Sequence, residues 1–192
     1  MNTEKILKIF EETKLMQKGH FLLTSGRHSD TYMQCARLFE YPQYSQAMAK
    51  DIADAFKDDG VDLVIGPAVG GIILSYEVAR QLGLRNVFAE RVDGKMMLRR
   101  GFEILPGQKV LVVEDVVTTG GSVVEVISLL KEIGAEIAGV GLVVDRSNGK
   151  VDFGCKMHAV YTTEVISYEA NNCPICKTDV SLIKPGSRKK FE

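Results

Sequence analysis

The sequence predicts an α/β fold, a mainly parallel twisted sheet with flanking helices, plus a small N-terminal hood. Three observations carry this. Short apolar runs rich in branched residues alternate with stretches of helical periodicity, the order that gives parallel strands covered by helices on both faces. Two strand-to-helix turns, Gly66-Pro67-Ala68-Val69-Gly70-Gly71 and Val117-Thr118-Thr119-Gly120-Gly121-Ser122, are rich in glycine. A hairpin-like stretch precedes the first parallel unit and is extra to a simple α/β core.

Taken in order, Thr3 is placed to cap a first helix whose apolar side carries Ile6, Leu7 and Phe10. Residues 21–23 and 31–34 read as short strands around a polar turn, so residues 1–40 supply the hood subdomain of a single domain spanning 1–192. Pro42 suits the first turn of the next helix, which Gly60 ends. Residues 61–65 form a strand, residues 72–82 a helix closed by Gly83, and residues 86–90 a third strand. Asp93-Gly94 signals a hairpin whose arms carry Arg91, Lys95, Arg99 and Arg100. The run Val110-Leu111-Val112-Val113 is a strand buried on both faces, ending in Glu114 and Asp115. Val123, Val126, Ile127, Leu130 and Ile133 then recur at helical spacing until Gly134. Residues 137–144 form a further strand with Asp145-Arg146 at its end, and residues 158–161 an edge strand.

Composition narrows the function classes. The chain has 192 residues, enough for a substantial core without disulfides. Its 24 basic and 25 acidic residues leave a net charge of −1, which offers no global field for nucleic acid or an anionic membrane. No apolar run is long enough to span a bilayer, and the start Met1-Asn2-Thr3-Glu4-Lys5 does not resemble a secretory leader. Four cysteines suit a reducing cytoplasm better than a disulfide framework, so a cytoplasmic location is expected.

The chemistry concentrates between Glu114 and Ser122. Unpaired backbone N–H groups at a helix start, with glycines that permit close approach, make a phosphate cup, and the hydroxyls of Thr118, Thr119 and Ser122 add donors. Carboxylates beside a phosphate repel it. Glu114 and Asp115 make sense where they accept hydrogen bonds from sugar hydroxyls, or help hold a metal shared with the ligand. Such a ligand is a phosphorylated ribose. No Gly-Lys-Ser or Gly-Lys-Thr closes the loop, and Gly139-Val140-Gly141 lies inside an apolar run, so neither a P-loop nor a dinucleotide fingerprint fits. The bland alternative is a buried strand with a solvated acidic end. The turn from Gly66 to Gly71 is a second candidate anion site, or else a device for close helix–strand packing. The basic hairpin reads either as a solvated ribbon or as a mobile lid over a pyrophosphate. Cys173-Pro174-Ile175-Cys176 reads as a turn with two structural thiols. It is half of a zinc site, which His20, His28 or His158 completes only where the fold brings them near.

The segment from Val112 to Ser122 resembles the phosphoribosyl-pyrophosphate signature of the type I phosphoribosyltransferases. Residues 21–29, Phe-Leu-Leu-Thr-Ser-Gly-Arg-His-Ser, resemble the hood of the orotate phosphoribosyltransferase family. So do the turn from Gly66 to Gly71, the basic lid and Asp145-Arg146. These matches run in order over most of the chain.

The resemblance implies the type I phosphoribosyltransferase fold. It also implies an enzyme that moves the 5-phosphoribosyl group from phosphoribosyl pyrophosphate to orotate, releasing orotidine 5′-monophosphate and pyrophosphate in pyrimidine biosynthesis. Glu114, Asp115, Val116, Val117, Thr118, Thr119, Gly120, Gly121 and Ser122, with Arg91 and Lys95, would bind phosphoribosyl pyrophosphate. Thr118 and Arg146 would contact orotate, with backbone groups near Tyr32 and Met33. Lys95, Arg91 and Asp115 are the expected catalytic residues. Mg²⁺ is the expected cofactor, held mainly through substrate with no direct protein ligand. A homodimer follows, its lid reaching the neighbouring site. The sequence departs from the family pattern at Thr24, at Val92 and in a short lid without histidine. The rivals are a same-fold transferase for another nucleobase and a non-catalytic regulator that senses phosphoribosyl pyrophosphate.

Overall fold

Asparagine and proline open the first two helices. In a computed structural model describing residues 1–23 and 25–185, α1 (Thr3–Glu12) is capped by Asn2, whose Oδ1 accepts the Lys5 N–H at 3.0 Å. Thr3, the expected cap, is instead the first helical residue. Asn2 stands one residue earlier and reaches the third helical N–H, the usual geometry of an N-cap. The hairpin of β1 (Met16–Leu22) and β2 (His28–Met33) follows, longer than the short strands expected. A 3₁₀ turn at Cys35–Glu40 leads into α2 (Pro42–Phe56), with Pro42 at its first turn.

The main sheet then assembles from β3 (Leu63–Pro67), α3 (Gly70–Leu82), β4 (Arg85–Val92), β5 (Lys95–Leu98), β6 (Lys109–Val117), α4 (Gly121–Ile133), β7 (Glu136–Asp145) and β8 (Met157–Thr162). Its six strands lie in the order β5-β4-β3-β6-β7-β8, all parallel except β5, which returns antiparallel from the Asp93-Gly94 turn. Asp93 and Gly94 both have positive φ, 48° and 82°, the geometry that hairpin turns of this kind require. Strand β6 is central, as its apolar run demands.

Alternation along the strands divides the core. Val64, Leu111, Val113 and Val143 face α2, α3 and α1 with Ile52, Phe56, Leu74 and Phe10. Leu63, Ile65, Val110, Val112 and Leu142 face α4 with Val123, Val126, Ile127 and Leu130. Each such fully buried branched side chain stabilises the fold by about 1.5–3 kcal/mol.

The hood sheet draws on both ends of the chain. Its order is β10-β1-β2-β9, where β9 (Ser167–Tyr168) pairs with β2 and β10 (Leu182–Ile183) pairs with β1. Residues 1–40 therefore contribute half of it, and a C-terminal segment closes it on both edges. Thr24 and the basic tail from Gly186 onward lie outside the described residues.

Glycine in β7 sets how closely α2 approaches the sheet. A Cβ at Gly141 would meet Ile52 Cγ2 at 2.4 Å and Val113 Cγ1 at 3.3 Å. Both neighbours are fully buried, so the added methyl has nowhere to go. Gly141→Ala is expected to destabilise the protein by about 1–3 kcal/mol. That lowers the melting temperature by roughly 2–4 °C per kcal/mol. Adding Ile52→Ala should make the double variant lose less than the sum of the two single losses, read by calorimetry.

Candidate active site

Three strand ends converge at the C-terminal edge of the main sheet, the side where open α/β sheets bind ligands. Strand β6 runs through Glu114 and Asp115 to Val117, and its last carbonyl accepts the Arg146 N–H at 2.8 Å. Strand β3 ends in the turn to α3, which contains a cis peptide between Ala68 and Val69. Strand β7 ends at Asp145.

The loop after β6 leads into an uncapped helix start beside a cavity. Gly120 is left-handed, with φ 78°, and begins α4, whose N-terminus has no side-chain cap. A Cβ there would meet Phe153 Cε1 at 2.9 Å and Val151 Cγ1 at 3.0 Å, so the turn admits only glycine on both conformational and steric grounds. The uncapped N–H groups open into a cavity of about 250 Å³. Glu114, Val116, Val117, Thr118, Thr119, Gly120, Gly121 and Ser122 line it together with Arg91 and Glu125. Thr118, Thr119 and Ser122 are exposed, so their hydroxyls are available to a ligand.

The acidic pair is the least ordinary feature. Glu114 is 8% exposed, and among the described residues neither it nor Asp115 forms an ion pair. Burial, reinforced by the adjacent Asp115, pushes the Glu114 carboxyl up to about 9. Burial likewise raises Asp115 above the usual carboxylate range. Asp115 does not line the cavity; its side chain packs on Gly70, where a Cβ would meet Oδ2 at 2.3 Å. The second glycine turn thus has two roles. Gly70 leaves room for Asp115, and Gly66 lets the strand touch the helix start, since a Cβ there would lie 2.3 Å from the Gly71 carbonyl. Beneath the acids, Cys35 is 3% exposed, and burial and the Asp115 charge push its thiol well above normal. It is an inert packing group. A buried carboxylate pair without a cationic partner is a donor set suited to sugar hydroxyls or to the water shell of a hard divalent cation.

Arg146 is half-buried beside the 3₁₀ turn and Tyr32, and burial lowers its proton affinity below the usual arginine range. Its Nε has no hydrogen-bond partner. Asp145 holds the loop around it: Oδ1 accepts the Ser147 N–H at 2.7 Å and Oδ2 accepts the Gly149 N–H at 2.9 Å. Arg146 is not part of the 250 Å³ cavity wall, and neither is Lys95, which is exposed on β5. The basic hairpin is an ordered ribbon pinned by ion pairs. Arg91 meets Glu125 of α4 at 2.7 Å and donates to the Gly94 carbonyl at 2.8 Å, while Arg99 and Arg100 pair with Glu90. Glu125 is a site residue that the sequence reading missed. It occupies an unremarked position on a helix, and only the packing of α4 against the hairpin brings it to Arg91.

Comparison with known proteins agrees with this geometry. The family model described as "Phosphoribosyl transferase domain" matches residues 37–157. A protein of Caldanaerobacter subterraneus subsp. tengcongensis named orotate phosphoribosyltransferase is 58% identical over 98% of this chain and 100% of its own length. Among solved structures, orotate phosphoribosyltransferase from Aeropyrum pernix aligns with a TM-score of 0.66 and 26% identity, covering 82% of this chain and 93% of that one. Adenine phosphoribosyltransferase from Thermoanaerobacter pseudethanolicus aligns with a TM-score of 0.65 at 16% identity over 80% of this chain and 99% of that one, a likeness of fold alone. With the phosphate cup, the acidic strand end and the Arg146 loop in place, these matches mean that the chain belongs to the orotate phosphoribosyltransferase family.

Proposed function

We propose that this protein is an orotate phosphoribosyltransferase that joins orotate to the ribose of phosphoribosyl pyrophosphate, yielding orotidine 5′-monophosphate and pyrophosphate. The observation that carries the reading is the cavity at the uncapped start of α4, with a buried acid at its wall. The cup holds the 5-phosphate through the backbone N–H groups of residues 118–122 and their hydroxyls. Glu114, at the cavity wall, accepts hydrogen bonds from the ribose hydroxyls and fixes the ring, and Asp115, packed on Gly70 outside the cavity wall, faces the sugar from the side of the second glycine turn. The turn at Gly66–Gly71 faces the pyrophosphate.

In the reaction the C1–oxygen bond breaks and its electron pair leaves on pyrophosphate. Orotate N1 forms the new bond to C1 from the opposite face and sheds its proton to solvent. The sugar gains oxocarbenium character, so positioning and charge stabilisation do most of the work. Arg91 and Lys95 neutralise the departing pyrophosphate, Lys95 from the lid of the neighbouring subunit of a homodimer. Arg146 grips the orotate carboxylate, a fit for a guanidinium whose Nε lacks a partner, and Thr118 contacts the ring. Mg²⁺, carried in by the substrate, would screen the pyrophosphate and the sugar hydroxyls, with the acidic pair in its outer sphere.

Orotate consumption with phosphoribosyl pyrophosphate and Mg²⁺, followed by loss of orotate absorbance, tests the reaction. Arg146→Ala is expected to lower kcat/KM for orotate by roughly 100- to 1000-fold, as the loss of a charge-assisted contact of about 3–4 kcal/mol implies. Lys95→Ala should instead lower kcat by roughly 10- to 100-fold with little change in orotate KM. Turnover of adenine in place of orotate would overturn the base assignment and leave the ribose-phosphate site intact.

The acidic pair also sets a pH signature. Its folded pKa lies above the unfolded value, so the unfolded chain loses protons first as pH rises. Stability is therefore fully present below about pH 4.3 and falls as pH rises toward about 9. Glu114→Gln, neutral at every pH, is expected to raise the melting temperature at pH 8 by roughly 2–8 °C. It should weaken phosphoribosyl-pyrophosphate binding at the same time. Calorimetric melting at pH 5 and pH 8 checks this, since the gain should shrink at the lower pH.

A further inference from the structure

The hood carries a second constellation, remote in sequence from the phosphate cup. His20 of β1, His28 of β2, and Cys173 and Cys176 after β9 present ligand atoms that all lie within 4.8 Å of one another. His20, His28 and Cys173 are 2%, 5% and 2% exposed, and Cys176 closes the outer side. We propose that these four side chains form a closed structural zinc site that clamps the C-terminal segment onto the hood hairpin.

The distances describe a tetrahedron. His20 Nε2 and His28 Nδ1 are 3.0 Å apart. Cys173 Sγ and Cys176 Sγ each lie 3.6 Å from His20 Nε2, and Cys176 Sγ lies 3.2 Å from His28 Nδ1. A tetrahedral zinc with its usual bond lengths to nitrogen and sulfur sets these edges at about 3.3 Å for N···N and about 3.5 Å for N···S. These four edges are close to those expected around an ion, and the other two, Cys173 to His28 and Cys173 to Cys176, are no longer than 4.8 Å.

Proton accounting favours an ion over hydrogen bonds. His20 Nδ1 is 3.1 Å from the Val180 carbonyl, which can only accept, so Nδ1 carries the hydrogen. Nε2 of a neutral His20 then has a single lone pair, pointing into the cluster. Three neighbours crowd that lone pair, His28 Nδ1 and both thiols. One lone pair cannot accept three donors, whereas a cation at the centre takes one lone pair from each of the four groups. The Val180 carbonyl then does what outer partners of metal-bound histidines do, fixing the tautomer and the ring orientation.

The fold explains why the site is there. The hairpin bulges between Lys18 and Phe21, and His20 in that bulge comes within 3.0 Å of His28, which stands opposite Leu22. The edge strands β9 and β10 have two residues each, too few to hold by ladder bonds alone. Arg27 reinforces the β9 edge through Ser167 and Glu169, and the Ser29 hydroxyl donates to the Ile166 carbonyl at 2.8 Å. An ion bound between those edges supplies what a small apolar core does not. Two cysteines and two histidines in a tetrahedron select zinc, and with all four positions filled by protein the site is structural and not catalytic. The remaining candidates stand apart: His158 pairs with Asp51 at 2.8 Å, and Cys35 and Cys155 are not part of the cluster.

The test uses the whole protein, purified under reducing conditions. Elemental analysis is expected to find one zinc per chain. A thiol-directed mercurial should release it to a chromogenic chelator. Exchange for Co²⁺ should give the visible ligand-field bands and thiolate charge-transfer absorption of a tetrahedral site. Cys176→Ser should weaken the charge-transfer band and lower the melting temperature by roughly 5–15 °C. Cys155→Ser should leave both unchanged. If Cys176→Ser fails to fold, the zinc content and Co²⁺ spectrum of the unaltered chain decide alone. Freely titrating thiols with no zinc bound after incubation with Zn²⁺ would overturn the site. So would a Cys173–Cys176 disulfide in the protein as isolated.

Discussion

Two carboxylates are held out of water at the end of the central strand, and much of the architecture serves that constraint. A buried carboxyl without a cationic partner opposes folding, so the sheet must offset it elsewhere. It does so with apolar packing on both faces of β6, where every residue from Val110 to Val113 is fully buried. The neighbours are shaped to the acids as well. Gly70 has no side chain because Asp115 occupies that space, and Cys35 lies beneath as a small apolar floor. The same strand end then turns through left-handed Gly120 into a helix start left uncapped. Local stability is given up at both places, and both are where a ligand would restore it.

The site keeps its charges muted. The acids favour their protonated forms because burial disfavours charge. Arg91 is neutralised by Glu125, and Arg99 and Arg100 by Glu90. On the proposed reaction, ribose hydroxyls that donate to the acids draw them toward ionisation. The pyrophosphate competes with Glu125 for Arg91. Exposed ion pairs such as these are worth little individually, so exchanging one for a phosphate contact costs little. The basic hairpin is thus held in a defined place without being locked there.

What the sequence disclosed follows the range of the interactions. Strand–turn–helix order, the glycine stops at Gly83 and Gly134 and the Asp93-Gly94 hairpin are local, and each stands where its residues put it. The phosphate cup was legible for the same reason, since one continuous segment builds nearly all of it. Asn2 displaced Thr3 as the first cap because two good capping residues stood side by side, and only the register of the helix decides between them. Long-range features were not legible. The Arg91–Glu125 pair, the space that Gly70 makes for Asp115 and the C-terminal edges of the hood each join segments far apart in the chain. The Cys173–Cys176 spacing gave half of a ligand set. The other half, His20 and His28, became visible only when β9 and β10 closed on the hairpin.

Those distant closures bear on the reaction as well as on the fold. The cup after β6 and the acidic strand end belong to the main sheet; on the proposed reaction they read the ribose phosphate, a part of the substrate that does not name the base. Discrimination among bases must come from elements outside the shared sheet edge. On the proposed reaction these are Arg146, held by Asp145 in its own loop, and β2, which carries Tyr32 beside Arg146. Strand β2 is kept in place on one edge by β1 and on the other by β9. The segment that closes the hood therefore holds β2 in place, although none of its residues lines the cavity after β6. On the proposed reaction the sheet edge supplies the ribose-phosphate chemistry, and the hood and the Arg146 loop supply its choice of acceptor.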